Sequence, residues 1–296
     1  MTRPTLHCLA LIAAALCGLA LPSAAGQPQI TIADGFERPS LDTEIWTPFK
    51  TRPERHWIDR SHVRTGRGAL AVHVAETDRD CKNTCQRNEI RIANDRRLTF
   101  GQEAWYGFSF RIDGHVPPGA PIRWVVGQWK EESDGSPFLA QRYSGGVFHI
   151  TVQNNDCRVL VARSGSTREA FLSRLAARAF HEFPFVTNVK DYACESGIEV
   201  AYGKNPILPD PKNGWVDMAY FVKGGRNGDG VIEVWAGGRF IARVTGSIGN
   251  DAVFGETQYF KIGMYRDPAP GAATLYFDSF RRGTSRTEVD PSQHVH

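Results

Sequence analysis

The chain has 296 residues, 41% of them apolar and 23% charged, with a formal charge of +3 at neutral pH. That length and apolar content suffice for one large domain with a sizeable core. The near-neutral balance, without a long run of Lys and Arg, excludes a nucleic-acid footprint or a basic membrane-surface helix, so a preference for an anionic partner must come from a local cluster.

Arg3 precedes the apolar run Leu9 to Leu21, which Pro22, Ser23, Ala24, Ala25 and Gly26 close. A basic start, a short apolar stretch and small residues form a secretory leader. The stretch is shorter than the ~20 residues a spanning helix needs. Cleavage near Ala25 or Gly26 is expected, leaving residues 26–296 as one exported domain, periplasmic or secreted, with no membrane partner. Loss of residues 1–25 removes Arg3 and no acid, so the charge falls from +3 to +2. Cys8 and Cys17 leave with the leader, while Cys81, Cys85, Cys157 and Cys194 remain. An even number in an exported chain reads as disulfides. The pairing favoured is Cys81–Cys85, a small local loop, with Cys157–Cys194 tying down a long excursion. Zinc is disfavoured, because the spacing is wrong and no His lies beside the pairs.

Strand signals then dominate. Ala69 to Val74, Trp105 to Ile112, Trp124 to Trp129, Val147 to Val152, Val231 to Trp235, Phe240 to Val244, Tyr259 to Tyr265 and Thr274 to Phe280 are rich in Val, Ile, Phe, Tyr and Trp. Gly, Pro, Asn or Asp bounds each run. Many short strands with turns between them predict an all-β sandwich or jelly roll. Gly237 and Gly238, between Trp235 and Phe240, predict a hairpin turn with positive φ. The exception is an insertion over about 163–215. There Ser166 and Glu169 suggest a capping box opening a helix from Arg168 to Phe183, with Phe171, Leu172, Leu175, Ala176 and Ala179 on one face. The stretch after it, through Pro206, Pro209 and Pro211, reads as irregular.

The informative pattern is a period of two. It puts Arg87, Glu89 and Arg91 on one face of a strand and Ile90 and Ile92 on the other. Val126, Gln128 and Lys130 share a face opposite Val125 and Trp129, and Tyr259, Lys261 and Tyr265 lie opposite Phe260, Ile262 and Met264. His149, Thr151 and Gln153 form a further set, as do Val231, Glu233 and Trp235. A single solvated face would carry small polar residues or mixed charges. Large donors repeated on several strands suit a chain of sugars instead, with aromatic rings covering sugar faces and Arg gripping a carboxylate in a bidentate fork.

Arg87-Asn-Glu-Ile-Arg91, Gln128-Trp-Lys130 and Tyr259-Phe-Lys-Ile-Gly-Met-Tyr265, in this order, resemble the jelly-roll polysaccharide lyases of the heparin lyase I and glucuronan lyase superfamily. Trp215-Val-Asp-Met218, Glu233-Val-Trp-Ala-Gly-Gly238 and Phe277-Asp-Ser-Phe280 extend the likeness over roughly residues 30–285, apart from the insertion. Jelly-roll alginate lyases carry a similar trio. The resemblance implies a concanavalin-like two-sheet sandwich that cuts the bond to O4 of a uronic acid by removing the C5 proton. It implies that Arg87 and Gln128 hold the substrate carboxylate, with Glu89 orienting Arg87, and that Tyr265 is the acid. Tyr265 or His149 would be the base. A phenol ionises near pH 10, so Tyr265 would need a nearby cation to act as one, and Lys261 on the same face is the expected supplier. Arg91, Lys130, His149, Tyr259 and Trp235 are further candidates for binding the anionic polysaccharide. Heparin lyase I has a catalytic His where this chain has Lys130, which favours the glucuronan-lyase-like reading. The superfamily also implies a structural calcium where the first and last strands meet, with Asp34, Glu37 and Asp278 as candidate ligands; no other cofactor is expected, and a monomer is.

Two other classes compete. A glycoside hydrolase needs a pair of carboxylates flanking the bond, and the Glu-x-Asp-x-x-Glu strand of jelly-roll glucanases is absent. A non-catalytic binding module could use the same Arg, Gln and Trp without needing Tyr265.

Overall fold

Alternating apolar and polar residues recur along most of the chain, and each such run becomes a strand with one face in the core. The computed structural model describes residues 30–114, 122–133, 135–155, 157–170, 173 and 197–294. In chain order the first strands are β1 (Ile32–Asp34), β2 (Trp46–Phe49), β3 (His56–Asp59), β4 (Ala69–Val74), β5 (Arg79–Asp80) and β6 (Cys85–Ile92). Then come β7 (Leu98–Thr99), β8 (Ala104–Gly114), β9 (Trp124–Glu131), β10 (Leu139–Ser144), β11 (Val147–Asn154) and β12 (Cys157–Arg163). The last are β13 (Ile198–Tyr202), β14 (Val216–Lys223), β15 (Gly225–Ala236), β16 (Arg239–Ile248), β17 (Thr257–Arg266) and β18 (Ala273–Gly283).

These strands make two antiparallel sheets. The first runs β13-β16-β15-β14-β8-β18-β4-β3, with β1 beside β18. The second runs β12-β11-β10-β9-β17-β6-β2, with β5 on β6 and β7 on β17. The expected jelly-roll sandwich is thus the architecture found. Between the sheets, Trp129 packs in tilted contact at 4.6 Å on Phe260 and 4.8 Å on Tyr220, and Phe108, Phe110 and Phe277 fill the space around them. Burying each large apolar side chain contributes about 1.5–3 kcal/mol, so this aromatic layer clamps the sheets and leaves the outer face of the second one free for polar work. The hairpin at Gly237 and Gly238 forms as expected, with φ of 54° and 71°.

Three expectations change. The pairing of β9 with β10 skips Val126, since Gln141 lies opposite Gly127 and Arg142 opposite Val125. This bulge turns Val126 into the core and Val125 outward, the reverse of strict alternation. Ile198–Tyr202, inside the expected insertion, is an edge strand on β16. The helix described from Arg168 is capped by Thr167, whose Oγ1 accepts from Ala170 N at 3.2 Å, while Ser166 Oγ accepts from Arg163. The Cys81–Cys85 disulfide is present. Cys157 is also disulfide-bonded; its expected partner Cys194, most of the expected helix and the leader at residues 1–25 lie outside the described residues.

The calcium ligand set does not assemble. β1 does meet β18, with Asp34 paired to Phe280. Yet the Asp34 carboxylate accepts from Phe36 N at 2.7 Å and Trp46 Nε1 at 2.9 Å, and Glu37 accepts from Arg67 N at 2.9 Å. Asp278 accepts from Arg64 N at 2.8 Å, Thr65 N at 3.0 Å and Ser279 N. N–H groups point their positive ends where a cation would sit. The three acids brace turns, and nothing below depends on a metal.

One glycine of the Tyr-Phe-Lys-Ile-Gly-Met-Tyr block has a structural cause. Gly263 has φ of +132°, and a Cβ there would lie 2.4 Å from Asn88 O and 2.7 Å from Glu89 Cα on the neighbouring strand. Gly263→Ala should push β6 from β17 and cost about 1–3 kcal/mol, read as a lowered melting temperature in circular dichroism.

Candidate active site

The outer face of the second sheet is set by the register of three strands. On β17, Lys261 lies opposite Gln128 of β9 and Arg91 of β6, while Tyr265 lies opposite Val125 and Arg87. Gly263 lies opposite Glu89 and has no side chain, so the Glu89 carboxylate can lean across β17. Its Oε1 accepts from Gln128 Nε2 at 2.7 Å and its Oε2 from Lys261 Nζ at 3.0 Å. All three groups are buried. Burial pulls the Lys261 ammonium below its usual range, and Glu89 opposes that pull.

Above this buried layer opens a cavity of about 280 Å³. Arg87, Gln128, Lys261 and Tyr265, the four residues with expected catalytic roles, all line it. So do Lys130, Arg123, Arg142 and Arg158. The described lining therefore holds six cations and no carboxylate. The acids stand behind it. Asp80 accepts from Arg87 Nε and Nη2 at 3.0 and 2.7 Å, and Asp267 accepts from Arg123 Nη2 at 2.9 Å. The Cys81–Cys85 disulfide closes the loop that begins beside Asp80, and Cys81 reaches the cavity wall.

Two expected partnerships differ in detail. Glu89 does form an ion pair with Arg87, 3.9 Å from its Nε, but Asp80 holds that guanidinium more closely, and Glu89 bonds Gln128 and Lys261 directly. The cation at Tyr265 is not Lys261, which is committed to Glu89. The cation bonded to its oxygen is Arg123, whose Nη2 donates to Tyr265 Oη at 3.1 Å, while the Arg87 guanidinium lies 5.4 Å from the ring centre.

Of the expected substrate contacts, only Lys130 lines the cavity. Glu89 is 1% exposed and fully engaged. Arg91 lies along the same face, 4.6 Å over Phe49, outside the cavity lining. Tyr259 is buried beneath Arg97, whose guanidinium sits 4.7 Å from its ring, so a sugar cannot stack there. Trp235 is on β15 of the other sheet, covered by Arg286 at 3.9 Å. His149, expected as a contact or base, is 1% exposed, and its Nδ1 faces Val147 O at 3.2 Å. Burial, with the charges of Arg142, Arg163 and Arg158, pushes it down to about 3, so the ring is neutral and shut away.

Arg123, Arg142 and Arg158 escaped the sequence reading. Arg142 was readable, since Leu139, Gln141 and Tyr143 alternate with Ala140, Arg142 and Ser144. Arg123 sits one residue before β9 and depends on Asp267, one residue beyond β17; only the register joins them.

The family model for polysaccharide lyases matches residues 36–281. Among solved structures the chain is similar to an endo-β-1,4-glucuronan lyase from the fungus Trichoderma reesei, at 14% identity and a TM-score of 0.58, covering 86% of this chain and 97% of that one. It is also similar to a family 7 alginate lyase in complex with product, at 15% identity and a TM-score of 0.51, covering 86% and 99%. A third likeness is to a cellulose-induced protein, at 13% identity and a TM-score of 0.50, covering 86% and 97%. At these identities the likeness shows the fold. No curated protein matches the chain.

The state of His149 gives a measurable pH effect. In the unfolded chain its imidazole binds a proton below about pH 6.5, whereas in the fold it does so only near 3. Its contribution to stability is therefore complete above the unfolded value and is lost as pH falls towards 3. His149→Gln lacks this titration, so the melting-temperature advantage of the wild type over the variant should shrink between pH 7.5 and about 4.5.

Proposed function

The chain belongs to the polysaccharide lyase family, and from that premise we propose that it cleaves a uronic-acid polysaccharide by β-elimination in this cavity. The observation that carries the reading is the wall itself, whose described residues hold six cations, one phenol and no carboxylate. Hydrolysis of a glycosidic bond needs two carboxyl groups at the wall, one as acid. Elimination needs the opposite. Removing the C5 proton piles negative charge beside a carboxylate, and fixed cations must absorb it.

The geometry supports named roles. Arg87 keeps Nη1 free of the Asp80 clamp and can meet the substrate carboxylate. Gln128 and Lys261, fixed by Glu89, form the floor beneath it, and Lys130, Arg142 and Arg158 add positive potential along the wall. With His149 buried, Tyr265 is the titratable oxygen at the cavity that can both take and give a proton. Acting as phenolate, its Oη takes the C5 proton, the C5–H electron pair forms the C4=C5 double bond, and the C4–O4 bond breaks. O4 leaves with the C4–O4 bonding pair and receives from Tyr265 the proton taken from C5. No water is consumed, and the enzyme returns to its starting state.

One oxygen serving both steps requires H5 and O4 on the same face of the ring. Glucuronate and mannuronate meet that condition, while galacturonate and guluronate do not. The glucuronan and alginate lyase neighbours, by their names, act on polyuronates. The apolar leader-like start and the Cys81–Cys85 disulfide support action outside the cytoplasm.

Incubation with glucuronan, polymannuronate, polyguluronate and polygalacturonate should give ultraviolet-absorbing unsaturated uronate from one or both of the first two only. Tyr265→Phe should abolish that signal, a loss of at least about 100-fold, while leaving the fold intact. New reducing ends without absorbance would identify a hydrolase instead.

A further inference from the structure

We propose that Arg123, anchored by Asp267, is a positioning residue that fixes the proton of Tyr265 towards the substrate; the claim rests on the lyase reading above. Arg123 is held at two points. Its backbone N donates to Asp267 Oδ2 at 3.0 Å, and its Nη2 donates to Asp267 Oδ1 at 2.9 Å. The same Nη2 donates to Tyr265 Oη at 3.1 Å, and the guanidinium carbon lies 5.0 Å from the centre of the phenol ring.

The direction of the Arg123–Tyr265 bond is unambiguous. A guanidinium is a donor only and stays protonated, so Tyr265 Oη is the acceptor. The phenol's own hydrogen cannot lie along that line and turns elsewhere. Tyr265 lines the cavity, and the wall there is otherwise cationic, so the open direction for that hydrogen is the space a sugar would fill. After the proton has gone, the bond becomes charge-assisted, which strengthens it. One contact therefore serves both halves of the cycle. It keeps the oxygen at one point, with its proton or its free electron pair turned to the reacting ring.

Lys261 could not substitute. Its Nζ is bound to Glu89 in the floor. Arg123 also differs from the other lining cations in that its Nη2 is shared between Asp267 and the phenol. About two-fifths of its side chain is exposed, so the argument rests on bond direction rather than on attraction across water.

The test uses the full-length enzyme on a polyuronate that the wild type cleaves, following release of unsaturated uronate. Arg123→Met should lower kcat about 100-fold with KM within about threefold, the pattern of a lost transition-state donor. Arg123→Lys should recover part of the loss. Asp267→Asn should lower kcat by a smaller factor of about 5–10, and the Arg123→Met/Asp267→Asn double variant should be no slower than Arg123→Met alone. Melting temperatures of all variants separate these effects from unfolding, and Asp267→Asn carries the test if Arg123→Met does not fold. An Arg123→Met enzyme with kcat within about twofold of wild type, or with its whole loss in KM, overturns the proposal. If the wild type releases no unsaturated sugar from any polyuronate, the lyase reading of the site falls first; if it does and Arg123→Met is unimpaired, only this inference falls.

Discussion

The site depends on one buried carboxylate. Glu89 sits under the cavity floor and is shared by Lys261 and Gln128, so that three adjacent strands, β6, β17 and β9, are stitched by side chains as well as by their backbone ladder. Such an arrangement is expensive in desolvation, and well-packed apolar residues would stabilise the fold as well or better. Stability alone does not account for it. What it supplies is position: an amide and an ammonium held in place at the base of a cavity that both line.

The same device recurs around the wall at increasing exposure. Lys261 has Glu89, Arg87 has Asp80 and Arg123 has Asp267, and none of these acids is among the described lining residues. Three of the six cations in the described lining are thus held by carboxylates outside it, in a chain whose overall charge is close to neutral. The backing acids also fix the cations' geometry. A guanidinium tied through Nε and one terminal nitrogen presents the other in a single direction, and that preorganisation is what a transition state gaining charge can use.

Much of this was legible in the sequence and some could not be. The alternation in Arg87–Arg91 and Tyr259–Tyr265 placed Arg87, Lys261 and Tyr265 on one face correctly, because those stretches pair in register. The same rule misplaced Val125 and Val126, since a bulge against β10 breaks the period of two, and Gly127 beside it was the one residue that signalled it. It misjudged Tyr259 and His149 for another reason. Alternation assigns a face but not its depth, and Arg97 over Tyr259 and the cations crowding His149 come from elsewhere in the chain. The exchange of Lys261 for Arg123 at Tyr265 belongs to the same class, because a spacing along one strand is weaker than a contact between two.

The two sheets show why residue type alone does not mark a binding face. On β15, Glu233 and Trp235 alternate outward just as Arg87 and Glu89 do on β6. There the charges cancel in the plane of the surface: Glu233 pairs with Arg243 beside it, and Arg286 lies flat on Trp235. On the second sheet the acids are set back and the cations forward, so the same mixture of charges becomes a polarised wall. The depth at which a carboxylate stands relative to its cation, and not the number of either, separates a solvated surface from a site able to stabilise an anion.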